Sequence, residues 1–230
     1  MTVLALETAA EVVGAAIGDA GGVAAAVCVR GGRHHAESLA PAILHVLEQT
    51  GTAFADLEAV AVDVGPGLFT GIRVGVATAQ GLAQGLGIGV LPVTSVAVLA
   101  HAAYEGGWTG PVASVVDARR GEVFAAVYGG AGAELRPPAR VAPADLPGLL
   151  ASAAAEGGAG VLAVGNGARR YRHALGPATL GGRSLDDPSP AALVAVAAAR
   201  MADGRQPVPP GDVRPVYLRE PDARINWAQR

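Results

Sequence analysis

The chain has 230 residues, of which 51% are apolar, and its formal net charge is −3. This length fits one large domain or two lobes of about 100 residues each, with enough apolar side chains for a sizeable core. The largest basic cluster is Arg169-Arg170-Tyr171-Arg172. Such weak positive charge argues against a protein that binds nucleic acid by itself.

The composition also limits the compartment and the chemistry. The N-terminus has no basic region and no apolar run resembles a membrane span, so we expect a soluble cytoplasmic protein without a targeting segment. The single cysteine, Cys28, cannot form an internal disulfide, and we expect it to be a small core residue. All 17 basic side chains are arginines, which excludes a Schiff-base lysine and a P-loop lysine.

The first half of the chain predicts the element order βββαβαβα. Short apolar runs separated by turn residues indicate strands, and apolar residues at helical spacing indicate helices. Thr70, after the turn Gly65-Pro66-Gly67, stands where a helix N-cap is wanted. The predicted strands cover residues 2–6, 12–17, 23–29, 59–64 and 88–93, and the predicted helices cover 35–50, 70–86 and 94–104.

The second half repeats this pattern and therefore indicates an internal duplication of a βββαβα unit. The predicted strands are 112–116, 122–128, 133–141 and 161–164, and the predicted helices are 145–156 and 190–202. We predict an N-terminal lobe (1–108), a C-terminal lobe (109–205) and a C-terminal strap rich in Pro and Arg (206–230). Within the strap, residues 215–219 either add a strand to a sheet or continue the strap without one. Two α/β lobes that each open with an acidic hairpin turn are typical of the two-lobed actin/sugar-kinase/Hsp70 (ASKHA) fold.

The helix predicted over 70–86 has an unusual outer face. Its inner face, which should pack on a sheet, comprises Ile72, Val76, Ala79, Ala83 and Leu86. The opposite face carries Val74, Ala77, Thr78, Gly81 and Gly85, with Arg73 and Gln84 at its edge, and residues 74–104 contain no charged side chain other than histidine. This is either an ordinary surface helix in a chain rich in Ala and Gly or a face on which a second helix packs closely. We favour the second interpretation.

Several motifs follow one another in a recognisable order. They are Leu4-Ala5-Leu6-Glu7-Thr8, the run from Gly65 to Gly75 (Gly-Pro-Gly-Leu-Phe-Thr-Gly-Ile-Arg-Val-Gly), the run from Asp117 to Val123, Gly165-Asn166-Gly167 and Pro215-Val216-Tyr217-Leu218-Arg219. With these motifs the chain resembles, over nearly its full length, the TsaB (YeaZ) family of bacterial tRNA threonylcarbamoyladenosine (t6A) synthesis. The run from Gly65 is the most diagnostic.

The resemblance implies an accessory subunit without catalysis of its own. Such a subunit binds the catalytic paralogue TsaD, which transfers a threonylcarbamoyl group to adenosine 37 of tRNA, and works with an ATPase, TsaE. It implies tRNA contact only through the complex, self-association when the partner is absent, no membrane and no cofactor. We expect the interface on the helices 35–50 and 70–86, at Glu37, Pro41, Leu44, Glu48, Arg73, Val74, Ala77, Thr78, Gly81 and Gln84.

The resemblance also locates the metal ligands of the catalytic paralogue, a His-x-x-x-His pair after the fifth strand. The corresponding residues here are Ser95 and Leu99, neither of which is a useful metal ligand, and His101 stands alone. We therefore expect no metal site. For the remaining histidines, His34, His35, His45 and His173, we expect surface or capping roles.

Two sets of residues leave alternatives open. Thr8, Gly65 and Gly67 lie in turns that face phosphates in nucleotide-binding members of the fold, and they either make a weak nucleotide contact or only turn the chain. Asp117, Arg119 and Arg120 either bind a ligand or form a hairpin turn with Gly121, and the turn is the simpler explanation.

The alternative function is that of an ATP-dependent small-molecule kinase or ATPase of the same fold. The missing acid and metal residues count against it. A peptidase has no support from any motif, since the chain lacks a Gly-x-Ser-x-Gly elbow.

Overall fold

The computed structural model describes residues 1–31, 35–158 and 160–219. The first sheet has the strand order β3-β2-β1-β4-β5. Strand β1 pairs antiparallel with β2 and parallel with β4, and the outer pairs are antiparallel β2–β3 and parallel β4–β5. The strands are β1 (Val3–Glu7), β2 (Val12–Asp19), β3 (Gly22–Arg30), β4 (Ala59–Asp63) and β5 (Gly89–Val93).

The second sheet repeats the topology of the first, with the order β8-β7-β6-β9-β10. Its strands are β6 (Val112–Asp117), β7 (Val123–Tyr128), β8 (Glu134–Val141), β9 (Leu162–Val164) and β10 (Thr179–Leu180). The helices of the chain are α1 (His35–Thr50), α2 (Phe69–Leu86), α3 (Ser95–Glu105), α4 (Leu146–Gly157), α5 (Asn166–Arg170) and α6 (Pro190–Ala202). The repeated strand order confirms the predicted duplication and the two-lobed α/β fold.

Helices cover both faces of the first sheet. Helices α1 and α2 pack side by side on one face, where their apolar sides meet alternate residues of β1, β2 and β4. Helices α3 and α6 lie between the two sheets, and α6 packs on β1 and β2 of the first sheet although it follows the second in sequence. Because β1 and β4 are buried on both faces, their near-continuous apolar sequence is the one expected for central strands.

The predicted inner face of α2 is largely confirmed. The inner face of α2 is buried from Ile72 to Ala83, and Leu86 at its end is half-buried. The helix ends at Gly87, whose φ of 69° is the left-handed conformation that glycine adopts easily. The prediction that Thr70 caps α2 was wrong: the helix begins at Phe69, the N-cap is Leu68, and no side-chain cap hydrogen bond is made.

The segment after α6 is a strap without a regular strand at 215–219. It is tied to the first sheet by an isolated bridge between Val208 and Val90 and by the Val216 amide, which donates to the Val64 carbonyl at 2.8 Å. Arg219 then reaches the second sheet, where its guanidinium donates to the Ala118 carbonyl at 3.1 Å. The part of the strap beyond residue 219 lies outside the described residues, and the three boundaries 1–108, 109–205 and 206–230 stay predictions.

No helix among the described residues is both long and apolar enough to span a membrane.

Candidate functional site

The outward sides of α1 and α2 form one continuous surface, which we call the helical surface. It comprises the ten residues predicted as an interface. Eight of them are exposed, namely Glu37, Pro41, Leu44, Glu48, Arg73, Ala77, Gly81 and Gln84, and Val74 and Thr78 are half-buried. The structure thus brings the ten residues together on one side of the first lobe, since α1 and α2 contact each other.

The centre of the helical surface is flat and uncharged. A Cβ atom added at Gly81 or Gly85 would have no atom within 4 Å, so the space in front of α2 is open. Leu44 on α1 exposes 58% of its surface, a large fraction for a leucine. Small residues in the centre with an exposed leucine beside them suit close packing against another helix.

One end of the helical surface carries an aromatic cluster that the sequence did not predict. The Arg73 guanidinium lies 3.7 Å from the centre of the Phe69 ring, and its Nε donates to the Tyr217 hydroxyl at 2.9 Å. The two rings are 5.2 Å apart and both are more than 40% exposed. The cluster joins the strap to the first turn of α2, and no short-range pattern could have shown it because 144 residues separate Arg73 from Tyr217.

The glycines under α2 are required by close packing of backbone on backbone. A Cβ atom on Gly67 would lie 2.1 Å from the Ala9 carbonyl oxygen, and one on Gly71 would lie 2.0 Å from that of Thr8. The Thr8 side chain is fully buried, and its hydroxyl donates to the Gly71 carbonyl at 2.8 Å. The Thr8 hydroxyl and Gly67 therefore both have a packing role under α2, which favours the turn interpretation, and a nucleotide contact at these residues stays a prediction.

Gly65 has a comparable role in the same turn. It is buried with a φ of 92°, and a Cβ atom there would lie 2.6 Å from the Ile72 side chain. An L-residue would therefore meet both an unfavourable backbone conformation and a steric clash. This packing accounts for Gly65 without the nucleotide contact that the sequence left open.

Two carboxyl groups, those of Glu7 and Asp63, are completely buried beneath this turn. Asp63 Oδ1 accepts hydrogen bonds from the Gly65 amide and the Ser95 hydroxyl, both at 2.7 Å, and Glu7 Oε1 accepts one from the Ala9 amide at 2.8 Å. The remaining oxygens, Glu7 Oε2 and Asp63 Oδ2, have no other partner. Burial, and then the neighbouring Asp63, raises the pKa of Glu7 well above its usual value.

Burial raises the pKa of Asp63 as well, but hydrogen bonds with Glu7, Ser95 and the Gly65 amide lower it. Of the two acids, Glu7 is therefore the one that keeps its proton more strongly. The sequence analysis named Glu7 only within the motif Leu4-Ala5-Leu6-Glu7-Thr8 and did not single out Asp63. The sequence signal that could have indicated this pair is an acidic residue at the end of each of two buried parallel strands, β1 and β4.

Ser95 and Leu99, which stand at the positions of the paralogue's histidine pair, are both buried at the start of α3. Ser95, at the start of α3, is 1% exposed and donates to Asp63, and Leu99 one turn later is also 1% exposed. His101 is half-buried 3.8 Å from Glu105, and burial lowers its pKa. Among the described residues no three His, Cys, Asp or Glu side chains are grouped as a metal site would require.

Two other sequence predictions are corrected. Cys28 is exposed rather than buried in the core, because it lies on β3, the mostly exposed edge strand of the first sheet. His35 is 9% exposed rather than on the surface, and its Nε2 donates to the Ala10 carbonyl at 2.9 Å. His34 lies outside the described residues.

The hairpin turn at Asp117 is confirmed. Arg119 and Arg120 have φ values of 61° and 53°, and Asp117 Oδ1 accepts the Arg119 amide at 3.0 Å. Asp117 also pairs with Arg170, whose Nη1 lies 3.0 Å from its carboxylate. These contacts give Asp117 a structural role at the turn.

A cavity of about 440 Å³ lies between this turn, the start of α2 and the strap. Most of its wall is apolar, with Leu68, Ile72, Phe124 and Leu218 among the lining residues.

The two repeated sheets, with a cleft and paired helices between them, define a protein of the actin/sugar-kinase/Hsp70 class. Its family is shown by the comparisons with known proteins. The family profile "TsaD: tRNA N6-adenosine threonylcarbamoyltransferase" matches residues 12–174. The structure of YeaZ from Pseudomonas aeruginosa superposes with a TM-score of 0.82 at 31% identity, over 94% of this chain and 99% of that one.

Curated relatives agree with this assignment. The chain is 35% identical over 130 residues to the tRNA threonylcarbamoyladenosine biosynthesis protein TsaB of Escherichia coli, which is 56% of this chain and 55% of that protein. It is 40% identical over 195 residues to an uncharacterised protein of Mycobacterium tuberculosis, covering 84% and 78% of the two chains. The chain belongs to the TsaB (YeaZ) family. The match spans about half the length of E. coli TsaB.

Proposed function

We propose that this chain is the accessory subunit of the t6A-forming assembly, in which it binds and positions a TsaD-type catalytic homologue. The family supports this proposal, because its named members are t6A biosynthesis proteins. The match to the TsaD profile adds that the chain is related to its proposed partner. Two related subunits that each present a pair of helices can pack them into a four-helix bundle.

The observation that carries the proposal is the open, uncharged centre of the helical surface. An exposed helix face normally carries charged side chains, and α2 has none between Arg73 and its last residue, Leu86. At Ala77, Gly81 and Gly85 a partner helix can approach toward the short end of the ~8–10 Å range of interhelical distances. The same surface would pair two copies of the chain in an isologous dimer when the partner is absent.

The buried contacts of Ser95 and Leu99 support a subunit without catalysis of its own. Ser95 and Leu99 lie at the positions where the resemblance places the paralogue's metal ligands. The Ser95 hydroxyl donates a hydrogen bond to Asp63, and Leu99 packs in the core. In this proposal a TsaE-type ATPase and tRNA are reached only through the complex, and the protein works in the cytoplasm, where tRNA is modified.

Glutamate substitutions on α2 test the interface. Gly81→Glu and Ala77→Glu should abolish binding of the TsaD-type homologue in size-exclusion chromatography with light scattering. The isolated chain should stay folded, because Gly81 has open space around it and a helical residue other than glycine is favourable by up to ~1 kcal/mol. Burying an unpaired carboxylate in an interface costs several kcal/mol, which weakens binding by about a hundredfold or more.

Gly148→Glu on α4 is the matched control. Gly148 is also an exposed helical glycine with no atom within 4 Å of an added Cβ, but it lies in the other lobe. Complex formation should be unchanged in this control. If the α2 variants bind as well as the control, the interface lies elsewhere.

A further inference from the structure

A second cavity, of about 380 Å³, lies between α3 and α6 and is separate from the helical surface. Its polar lining residues come from both halves of the chain: His101, Tyr104 and Glu105 from α3, Tyr128 from β7, and Arg200 and Asp203 from the end of α6. None of these residues has a role in the proposed subunit interface.

Arg200 is a half-buried cation without a direct partner. Within the described residues its guanidinium makes no hydrogen bond and no ion pair. Apart from burial, its pKa is affected by Tyr128 and Glu134, which favour the charged form, and by Arg205, which disfavours it. Burial lowers the pKa of Arg200, but an arginine remains charged at neutral pH. Partial burial of a guanidinium costs free energy when no anion lies beside it, unless another group binds to it.

Tyr128 lines the same cavity with an unused hydroxyl. The residue is 4% exposed, and within the described residues its hydroxyl makes no hydrogen bond of normal geometry, although the Thr94 side chain is close enough to lower its pKa. Burial raises the pKa of Tyr128 to about 12, so the phenol keeps its proton and remains a donor. Tyr104 differs, because its hydroxyl already donates to the Gly129 carbonyl.

The other polar groups of the cavity lie nearer to solvent. The Glu105 side chain is 70% exposed, and Asp203 is also exposed, so water screens both charges. Burial lowers the pKa of His101, which leaves the ring neutral at pH 7. The interior of the cavity therefore offers donors, whereas its rim is acidic.

We propose that Arg200 and Tyr128 form a binding site for a small oxyanion, a carboxylate or a phosphate group. The guanidinium supplies a fork of charge-assisted hydrogen bonds and the phenol supplies one more donor. The acidic rim selects small ions over polyanions such as tRNA. Because α6 packs on the first sheet and Tyr128 belongs to the second, a bound anion would connect the two lobes.

Titration with inorganic phosphate and, separately, with acetate tests the site. Calorimetry at pH 7 and constant ionic strength should show saturable binding of at least one ion, with a Kd of about 1 mM or tighter. Arg200→Met should raise that Kd about tenfold or more, the loss expected for a charge-assisted hydrogen bond. Arg172→Met, which removes an exposed arginine that does not line the cavity, should leave the Kd within about twofold.

Tyr128→Phe provides a second variant that keeps the ring and removes only the hydroxyl. Since that hydroxyl makes no hydrogen bond of normal geometry among the described residues, its loss should change the stability of the fold little, yet it should weaken anion binding. Saturation by phosphate alone or by acetate alone would identify which chemistry the site takes. Absence of saturation by both ions, or equal affinity in wild type, Arg200→Met and Tyr128→Phe, would overturn the proposal.

Discussion

Replacement of Glu7 by glutamine should change how the stability of the protein depends on pH. Glu7 and Asp63 have no solvent exposure, and the two hydrogen bonds to Asp63 Oδ1 favour the ionised form of that residue. Glu7 therefore carries the proton that joins the pair. Glu7→Gln has the same shape and donates an N–H where the acid donates an O–H, so it should fold normally.

The sign and size of the effect follow from the raised pKa of Glu7. An unfolded glutamate loses its proton near pH 4.3, whereas the folded protein keeps it to a higher pH. The contribution of Glu7 to the stability of the wild type consequently falls as pH rises above about 4.3, by up to ~1.4 kcal/mol per pH unit, until the folded Glu7 also ionises. Glutamine does not titrate. Between pH 5 and pH 7 the free energy of unfolding of the variant should therefore rise relative to that of the wild type by up to ~2.7 kcal/mol.

Urea unfolding at pH 5, 6 and 7, followed by circular dichroism, measures this difference. Glu134→Gln, at an exposed position on β8, is the control and should follow the wild type at every pH. Parallel stability curves for Glu7→Gln and the wild type would refute the raised pKa of Glu7, because they would mean that Glu7 titrates alike in the folded and unfolded states.

Three further outcomes are expected. Gly67→Ala should lower the free energy of unfolding by about 1–3 kcal/mol or more, because its Cβ meets the Ala9 carbonyl, whereas Gly81→Ala in open space should raise it by up to ~1 kcal/mol; thermal denaturation distinguishes them. Ser95→Ala should cost about 1–3 kcal/mol in the same assay, since Asp63 loses a buried hydrogen bond. The purified chain alone should transfer no threonylcarbamoyl group to tRNA, and metal-dependent transfer free of a catalytic homologue would contradict the proposed role.

Sequence patterns predicted the elements whose environment is set by neighbours in the chain. The buried runs of β1 and β4 and the apolar face of α2 are such cases. Burial on both faces of a strand gives a continuous apolar run, and burial of one helix face gives apolar residues three or four positions apart. The short elements α5 and β10 were not predicted, because five and two residues are too few to show a period.

Features that depend on distant contacts could not be predicted. Cys28 has the sequence context of a core strand, and only the sheet order shows that β3 is an edge. The contact of Phe69 and Arg73 with Tyr217 joins two ends of the chain. The helical surface was predictable because its signal, the absence of charge on an outer helix face, is local.

Hydrogen–deuterium exchange on the chain with and without its TsaD-type homologue tests the proposed subunit role most directly. Binding should slow exchange of the amides in α1 and α2, including Leu44 and Ala77, and leave α4 unchanged. Protection confined to α4 or the second sheet, or no protection at saturating homologue, would contradict the assignment of the helical surface as the partner interface.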